Sequence, residues 1–320
     1  MTIRIEPTST SPSTMTESIV TGRTRTSRGD RTTRGSRRRG PSRATGETRP
    51  VAWGRRISLT LIALFGFAPI YWMVLTSLRS GSDVFEFPPR LLPTGIDLSA
   101  YVRVFSDGAI LHYLGNSVLV ASLTALGSVI IGMYCAYSFS KFRYRGRRSM
   151  MLLLLVSQLF PQILLLITIY GIFSALGLLD TYLALVISFT TFTLPLCVWM
   201  MKGIFDNIPD EIIEAAKVDG AGQGVIIHRI LMPLVAPGMI AAGLFAFIRG
   251  WNDFVYALTL SGDATRTLPP GLVNTYLSEF SDRWPELMAA SLVASVPVIL
   301  IFLALQRYFV AGLSSGAIKG

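Results

Sequence analysis

Apolar residues along this chain collect into runs at 57–78, 117–139, 150–173, 182–201, 234–258 and 287–309. A bilayer core of about 30 Å needs about 20 helical residues to cross it, so each run is long enough to span. The pattern predicts an all-α membrane protein with six transmembrane helices. Between the second and third runs lies KFRYRGRR, 141–148, with five positive charges and no acid. Positive loops stay on the cytoplasmic side, which places this one there. With an even number of spans, both termini and the 141–149 and 202–233 loops share that side. Segments 79–116, 174–181 and 259–286 then face outward.

One mixed polar stretch interrupts the apolar pattern, EIIEAAKVDGAGQGVIIHRILMP at 211–233. Pro209 followed by Asp210 and Glu211 suits a helix start, where a proline fits the first turn and acids meet the positive end of the dipole. Asp219-Gly220 suits its end, because glycine readily takes the left-handed conformation that closes a helix. A second helix over about 222–232 is expected next. A helix of roughly nine residues is marginal alone in water and has to dock on something. Two readings stay open: a short surface helix lying on the membrane, or a knob of Ala215 and Ala216 beside Glu214 that enters a partner's groove.

Composition agrees with a membrane chain: of 320 residues 51% are apolar and 15% charged, and mean hydropathy is +0.52. Soluble domains carry nearer a quarter charged residues. Most of the net charge of +10 belongs to one end. Residues 1–56 hold 13 Arg against Glu6, Glu17, Asp30 and Glu47. Residues 1–50 have too few aliphatic and aromatic side chains to offset chain entropy and are expected to be a disordered basic cytoplasmic tail. SRRRG at 36–40 reads as an anionic-lipid and orientation signal rather than a nucleic-acid patch, since no folded module accompanies the charge. No apolar region with a small-residue cleavage site follows the first residues, so no cleaved signal peptide is expected.

Catalytic and metal signatures are missing from the sequence. There is no G-x-x-x-x-G-K-[ST], H-E-x-x-H or G-x-S-x-G motif, so any ATP-driven work needs another chain. Cys135 and Cys197 lie inside apolar runs, where a thiol behaves as a small hydrophobe. His112 and His228 read as interfacial or loop residues, not metal ligands. No metal site is expected.

Polar residues inside spans are informative because they are costly there. Arg249, Asn252, Asp253 and Tyr256 recur at i, i+3, i+4 and i+7, which on one helix is a single face, with Arg249 able to pair with Asp253. They read as a lock between helices, or else Asn252, Asp253 and Tyr256 line the outward mouth of a solute path, where amide, carboxylate and aromatic groups suit hydroxyls and ring faces, with the role of Arg249 open. Gln158, Pro161 and Gln162 in the third run and Thr190, Thr191, Thr193 and Pro195 in the fourth are expected to break their helices, as kinks or beside a cavity. Ser128-x-x-x-Gly132-x-x-x-Ala136 and Gly238-x-x-x-Ala242-x-x-x-Ala246 are small-residue stripes that let helices approach closely. The outward segments, with VFEFPPRLLPTGIDLSAYVRVF at 84–105 and a possible short amphipathic helix within it, serve either as docking surfaces or as interfacial anchors.

EAAKVDGAG at 214–222, followed nine residues after Gly220 by ILMP, resembles the EAA loop of permease subunits of bacterial ATP-binding-cassette importers. The pattern there is EAA, three residues, G, nine residues, then I-x-L-P, and Met232 stands where Leu is usual. Asn116-Ser117, SFSKFRYRGRR, FPQ, GLLDTY, PLCVWMMKGIFDNIPDEIIEAAKVDGA, WNDF and the terminal GLSSGAIKG extend the likeness over 55–320. Together they are similar to the second permease of maltose-type carbohydrate importers.

The resemblance implies the six-helix type I importer permease fold, MetI-like, with both termini cytoplasmic, in a bacterial inner membrane. It implies a second related permease, two ATPase subunits that carry the ATP and Mg, and an extracytoplasmic sugar-binding protein, with membrane lipid around them and no nucleic acid. This chain would be non-catalytic and hold no cofactor. Glu214, Ala215, Ala216, Asp219, Gly220 and Pro233 fall in the loop that couples to the ATPase. Trp251 and Asn252 match the family's WN element, which with Asp253 and Tyr256 would border the substrate path. Gly312, Leu313, Gly316, Lys319 and Gly320 match the tail that touches the ATPase pair, and the loop from Ser261 to Trp284 would reach toward the binding protein. The alternatives are an importer of this type for another polyol or glycerol-phosphate solute and, in a different class, a stand-alone channel or secondary transporter.

Overall fold

The computed structural model describes residues 49–81, 83–92, 95–277 and 283–317. The chain divides into two units, 1–57 and 58–320. The basic stretch expected to be disordered lies, up to residue 48, outside the described residues. Among those described, the structure is helical and contains no β-strand.

The first apolar run forms α1, Arg49–Ser77, whose residues 53–72 are exposed throughout. After it come a short amphipathic helix α2, Ser99–Ser106, and the long α3, Ala109–Lys141. Ala100 and Val104 of α2 are fully buried, so the expected helix in the 79–116 segment exists and packs inward.

The third run does not form one continuous helix. It makes α4, Arg147–Ser157, and α5, Gln162–Ala175, bent by 96° at the break. Pro161 lacks an N–H to donate, and its ring disfavours helical geometry at Phe160, so the helix stops before it. Pro161 itself is extended, at φ −62° and ψ 114°. Among the described residues there are thus five helices long and apolar enough to cross a membrane, or six if the bent pair counts as one span.

The fourth run behaves differently from expectation. It forms an unbroken α6, Tyr182–Phe205, with Pro195 inside it. Thr191 and Thr193 turn their hydroxyls onto the carbonyls of Ile187 and Phe189, each at 2.8 Å. Their polarity is satisfied within the helix and breaks nothing.

Beyond α6 lies the short α7, Asp210–Val218. The helix expected over 222–232 is not separate but opens the fifth span. It starts as α8, Gln223–Val225, widens into a π-helical turn over Ile226–Leu231, and continues as α9, Met232–Asn252. Pro233 has no N–H for the carbonyl of Arg229, and the widened turn ends just before it, as π-bulges do when a normal hydrogen bond is lost. The fifth span then breaks at Asp253, which is extended at ψ 124°, and restarts as α10, Val255–Leu260. The remaining helices are α11, Leu268–Tyr276, and α12, Trp284–Ala317.

The packing centre is formed by α3, α6 and α9. Both small-residue stripes lie there. Gly132, Ala136, Gly238, Ala242 and Ala246 are buried. A Cβ on Gly238 would stand 1.7 Å from Ile204 Cδ1, so the Ile204 side chain of α6 fills the space left by this glycine. Ser128 and Thr193 complete this seam with a buried hydroxyl pair at 2.6 Å. At the opposite end from α7, α2 and α11 pack against the start of α12, with Arg103 Nε 2.7 Å from Glu286 Oε1.

Candidate functional site

The nine residues of α7 follow from local chemistry. Asp210 and Glu211 occupy the first turn and Lys217 the last, each sign suited to its end of the helix dipole. Gly220, at φ +80°, closes it. Gly220 N donates to the Lys217 carbonyl at 3.0 Å and Ala221 N to that of Ala216 at 2.9 Å, the paired bonds of a Schellman cap.

Ile213 and Ala216 face inward, each 6% exposed, and join a buried cluster with Met201, Phe205, Ile226 and Leu231. The marginal helix therefore docks on its own chain. Glu214, Ala215, Asp219, Gly220 and Pro233 are exposed, and Val218 is 87% exposed. Of the two alanines, Ala216 is the anchor and Ala215 projects.

Three side chains that composition alone does not single out tie the elements around this helix, and the first of them holds the helix itself. Lys141 Nζ, at the end of α3, donates to Asp210 Oδ1 at 2.7 Å and to the Ile208 carbonyl at 2.5 Å. The Lys141 ammonium beside Asp210 holds that carboxyl below its ordinary range. Asp206 accepts from Ser140 Oγ at 2.7 Å and Lys202 Nζ at 2.6 Å. Burial pushes the Asp206 carboxyl up, but these bonds and the nearby ammoniums outweigh it and the net shift is downward. Tyr137 Oη donates to Gln223 Oε1 at 2.9 Å, tying the start of the fifth span to α3. The signal available was Lys141 in the basic loop, where it counts toward topology and gives no partner.

Near the break in the fifth span, the residues expected on one face are divided between two helices. Trp251 is buried, stacked on Phe247 with ring centroids 5.6 Å apart. With exposed Asn252 it borders a cavity of about 420 Å³ whose walls include Leu272 of α11 and Ser291 and Ser295 of α12. Asp253 does not pair with Arg249. Its Oδ1 accepts from the backbone N–H of Tyr256 at 3.0 Å and Ala257 at 3.1 Å, which supports the first turn of α10. Arg249 is exposed on α9.

Tyr256 is buried, and its hydroxyl donates to the Gln162 carbonyl at 2.7 Å. Its ring meets Phe192 edge-on at 4.9 Å, and Gln158 Nε2 reaches the Phe192 carbonyl at 3.3 Å. The break between α4 and α5 and the break between α9 and α10 are thus joined by one hydrogen bond. Backbone freed by a helix break within a membrane needs such partners or a water-lined cavity.

At the far end, Asp180 forms a clasp. Its carboxylate accepts from Gly262 N at 2.8 Å, Thr265 N at 3.1 Å and Thr265 Oγ1 at 2.7 Å. Burial raises the Asp180 carboxyl, but the bonds from Thr265, Gly262 and Ala264 win and hold it below the ordinary range. A Cβ on Gly262 would stand 2.5 Å from Asp180 Oδ2, so the loop closes tightly on this carboxylate. Asn116 Nδ2 donates to the carbonyls of Ala264 and Arg266, and Ser117 Oγ accepts from Leu268 N. Segment 259–286 is therefore moored to the α5–α6 turn as far as Thr265 and to α3 as far as Thr275, which pairs with Tyr113 Oη at 3.3 Å.

Of the expected tail, Gly312, Leu313 and Gly316 lie in the last turns of α12. Lys319 and Gly320 fall outside the described residues. Among the described residues no group of three or more His, Cys, Asp or Glu stands together as a metal site.

Residues 128–315 match the family model described as the binding-protein-dependent transport system inner membrane component. The chain is 36% identical over 266 residues to the inner membrane ABC transporter permease protein YcjP of Escherichia coli, covering 82% of this chain and 95% of that one. It is 34% identical over 268 residues to the trehalose/maltose transport system permease protein MalG of Thermococcus litoralis, with coverage of 82% and 95%. A solved bacterial ABC transporter involved in the import of the acidic polysaccharide alginate has a chain that superposes with a TM-score of 0.70 at 25% identity, over 82% of this chain and 98% of that one. A family match over more than half the chain, relatives alike over most of their length, and a shared arrangement of spans agree: this chain belongs to the binding-protein-dependent transport system inner membrane components, as a membrane-spanning permease subunit of an ABC importer.

Proposed function

We propose that this chain is one of two permeases of an ATP-driven sugar importer and that α7 couples it to a separate ATPase. The observation that carries this is the two-faced build of α7. Ile213, Ala216 and Lys141 fix it to the bundle, while Glu214, Ala215 and Val218 stand exposed on its outer side. A helix anchored on one face with apolar and acidic groups uncovered on the other suits a groove-binding contact. Glu214 offers a carboxylate to a cation of the ATPase, and Gly220 permits the reversal into the fifth span.

The basic loop at 141–148 and the α7 end then face the cytoplasm, and the loop clasped by Asp180 faces the binding protein. ATP and Mg sit on two ATPase chains, so this subunit is non-catalytic. The exposed apolar surface of α1, where Phe65 is 84% and Phe67 67% exposed, suits lipid and the second permease. The sugar assignment draws on relatives named for trehalose, maltose and alginate. The hydroxyls and amide around the cavity at Asn252, Ser291 and Ser295 suit a polyhydroxylated solute.

Reconstitution with the partner chains tests the coupling. Glu214→Lys is expected to leave the permease inserted and the ATPase bound, yet lose ATP-dependent uptake. Normal uptake by that variant rejects the assignment, and uptake that persists without ATP favours a stand-alone channel or secondary transporter. Removal of 312–320 is expected to weaken ATPase association in pull-downs.

A further inference from the structure

A second cavity, of about 400 Å³, opens where α4 begins, beside the ends of α3 and α6. It is used neither by α7 nor by the helix breaks. Its cations are Arg147 and Arg148 in the first turn of α4 and Lys202 in the last turn of α6. Its apolar wall is Phe139 with Met151, Leu152 and Leu155.

The order of these groups along α4 matters. Arg148, Leu152 and Leu155 stand at i, i+4 and i+7, one helical face, and at 1.5 Å per residue Leu155 lies about 10 Å farther along the axis than Arg148. Charge therefore sits level with the ends of α3 and α6, and the apolar groove leads away from it along α4. Leu152 is 60% exposed and covered by nothing in this chain.

Arg147 Nη1 donates to the carbonyl of Phe142 at 3.0 Å, which holds its guanidinium in place, and Lys202 is paired with Asp206. Three cations against that one carboxylate leave the cavity positive. A free small anion has no use for the apolar wall, and a zwitterionic lipid sets its choline cation against the three basic groups. Basic pockets between spanning helices at the membrane surface take acidic lipid headgroups, and 400 Å³ falls in the size range of ligand pockets.

We propose that this cavity binds an anionic phospholipid of the surrounding bilayer, its phosphate at Arg147, Arg148 and Lys202 and an acyl chain along Met151, Leu152 and Leu155. Native mass spectrometry of the full chain, titrated with phosphatidylglycerol, with phosphatidylcholine of the same acyl chains and with inorganic phosphate, tests it. Phosphatidylglycerol is expected to bind in preference to phosphatidylcholine and to resist displacement by inorganic phosphate. A basic residue near the membrane surface contributes about fivefold in lipid affinity, so Arg148→Gln should weaken phosphatidylglycerol binding by about that factor and Arg147→Gln with Arg148→Gln by about 25-fold. Leu152→Gln should weaken it without altering the preference between headgroups. Equal binding of the two lipids by the wild-type chain overturns the proposal, as does phosphatidylglycerol affinity unchanged in Arg148→Gln. Full displacement by inorganic phosphate overturns it in favour of a plain anion site.

Discussion

Lys141 Nζ lies 2.7 Å from Asp210 Oδ1, so the last residue of α3 grips the first residue of α7. The lysine side chain is 8% exposed and the aspartate 69%, which makes the ammonium the embedded partner.

Lys141→Met should loosen α7. An ion pair to an exposed carboxylate contributes little, and a charged donor to a carbonyl about 1.5–3 kcal/mol, so the bond to Ile208 carries more of the effect. Hydrogen exchange is expected to show faster amide opening over 211–218, with Asp210→Asn giving the smaller change. Equal protection in wild type and Lys141→Met would show that Ile213 and Ala216 suffice.

The same pair sets a pH response. The carboxyl of Asp210 titrates below its ordinary value of 3.8 in the folded chain, because Lys141 stabilises the charged form. A depressed carboxyl contributes stability above the ordinary value and loses it as pH falls through the folded one. Protection of α7 should therefore hold steady from neutral pH down to the ordinary carboxylate range and decline only in stronger acid. A decline centred near pH 6 would implicate another group.

Gly220→Ala should destabilise the turn after α7 by about 1 kcal/mol, since its φ of +80° is left-handed and an added Cβ meets no neighbour within 4 Å. The penalty is thus backbone strain alone. Gly220→Asn should be milder than Gly220→Val, because asparagine tolerates that region and a β-branched residue does not. ATP-dependent uptake in reconstituted complexes should rank in the same order.

Tyr256→Phe removes the hydroxyl that joins the two helix breaks and leaves the Gln162 carbonyl without that donor. A loss of about 1 kcal/mol in unfolding free energy is expected, with the edge contact to Phe192 kept. Uptake should fall more than stability if the joined breaks move together during transport. An unaltered uptake rate would make the bond a local tie only.

Asp180→Ala should loosen the turn over 262–265, with Asn116 and Ser117 still holding its far side. It removes a charged acceptor from three backbone N–H groups and the Thr265 hydroxyl, and bonds of that kind contribute about 1.5–3 kcal/mol each before solvent takes their place. Limited proteolysis is expected to cut this loop faster in the variant. Asp180 also sits below its ordinary value of 3.8, so the clasp should survive down to that pH and open in stronger acid.

By itself the sequence determined the membrane class, the apolar runs, the α7 boundaries and the glycine that closes that helix. These rest on interactions a few residues apart: hydropathy over about 20 positions, a proline and acids at a helix start, a left-handed glycine at its end. The small-residue stripes were legible for the same reason, because spacing on a helix fixes which residues share a face. Tertiary structure decided the rest. Asp253 reads as a partner for Arg249 only while the helix is unbroken, and the break hands its carboxylate to the backbone of α10. Tyr256 meets Gln162 from 94 positions away, Asp180 meets Thr265 from 85, and Lys141 meets Asp210 from 69. No periodicity spans such separations. The face of α7 that is buried and the face that is left exposed were settled only when α3, α6 and α9 packed beneath it.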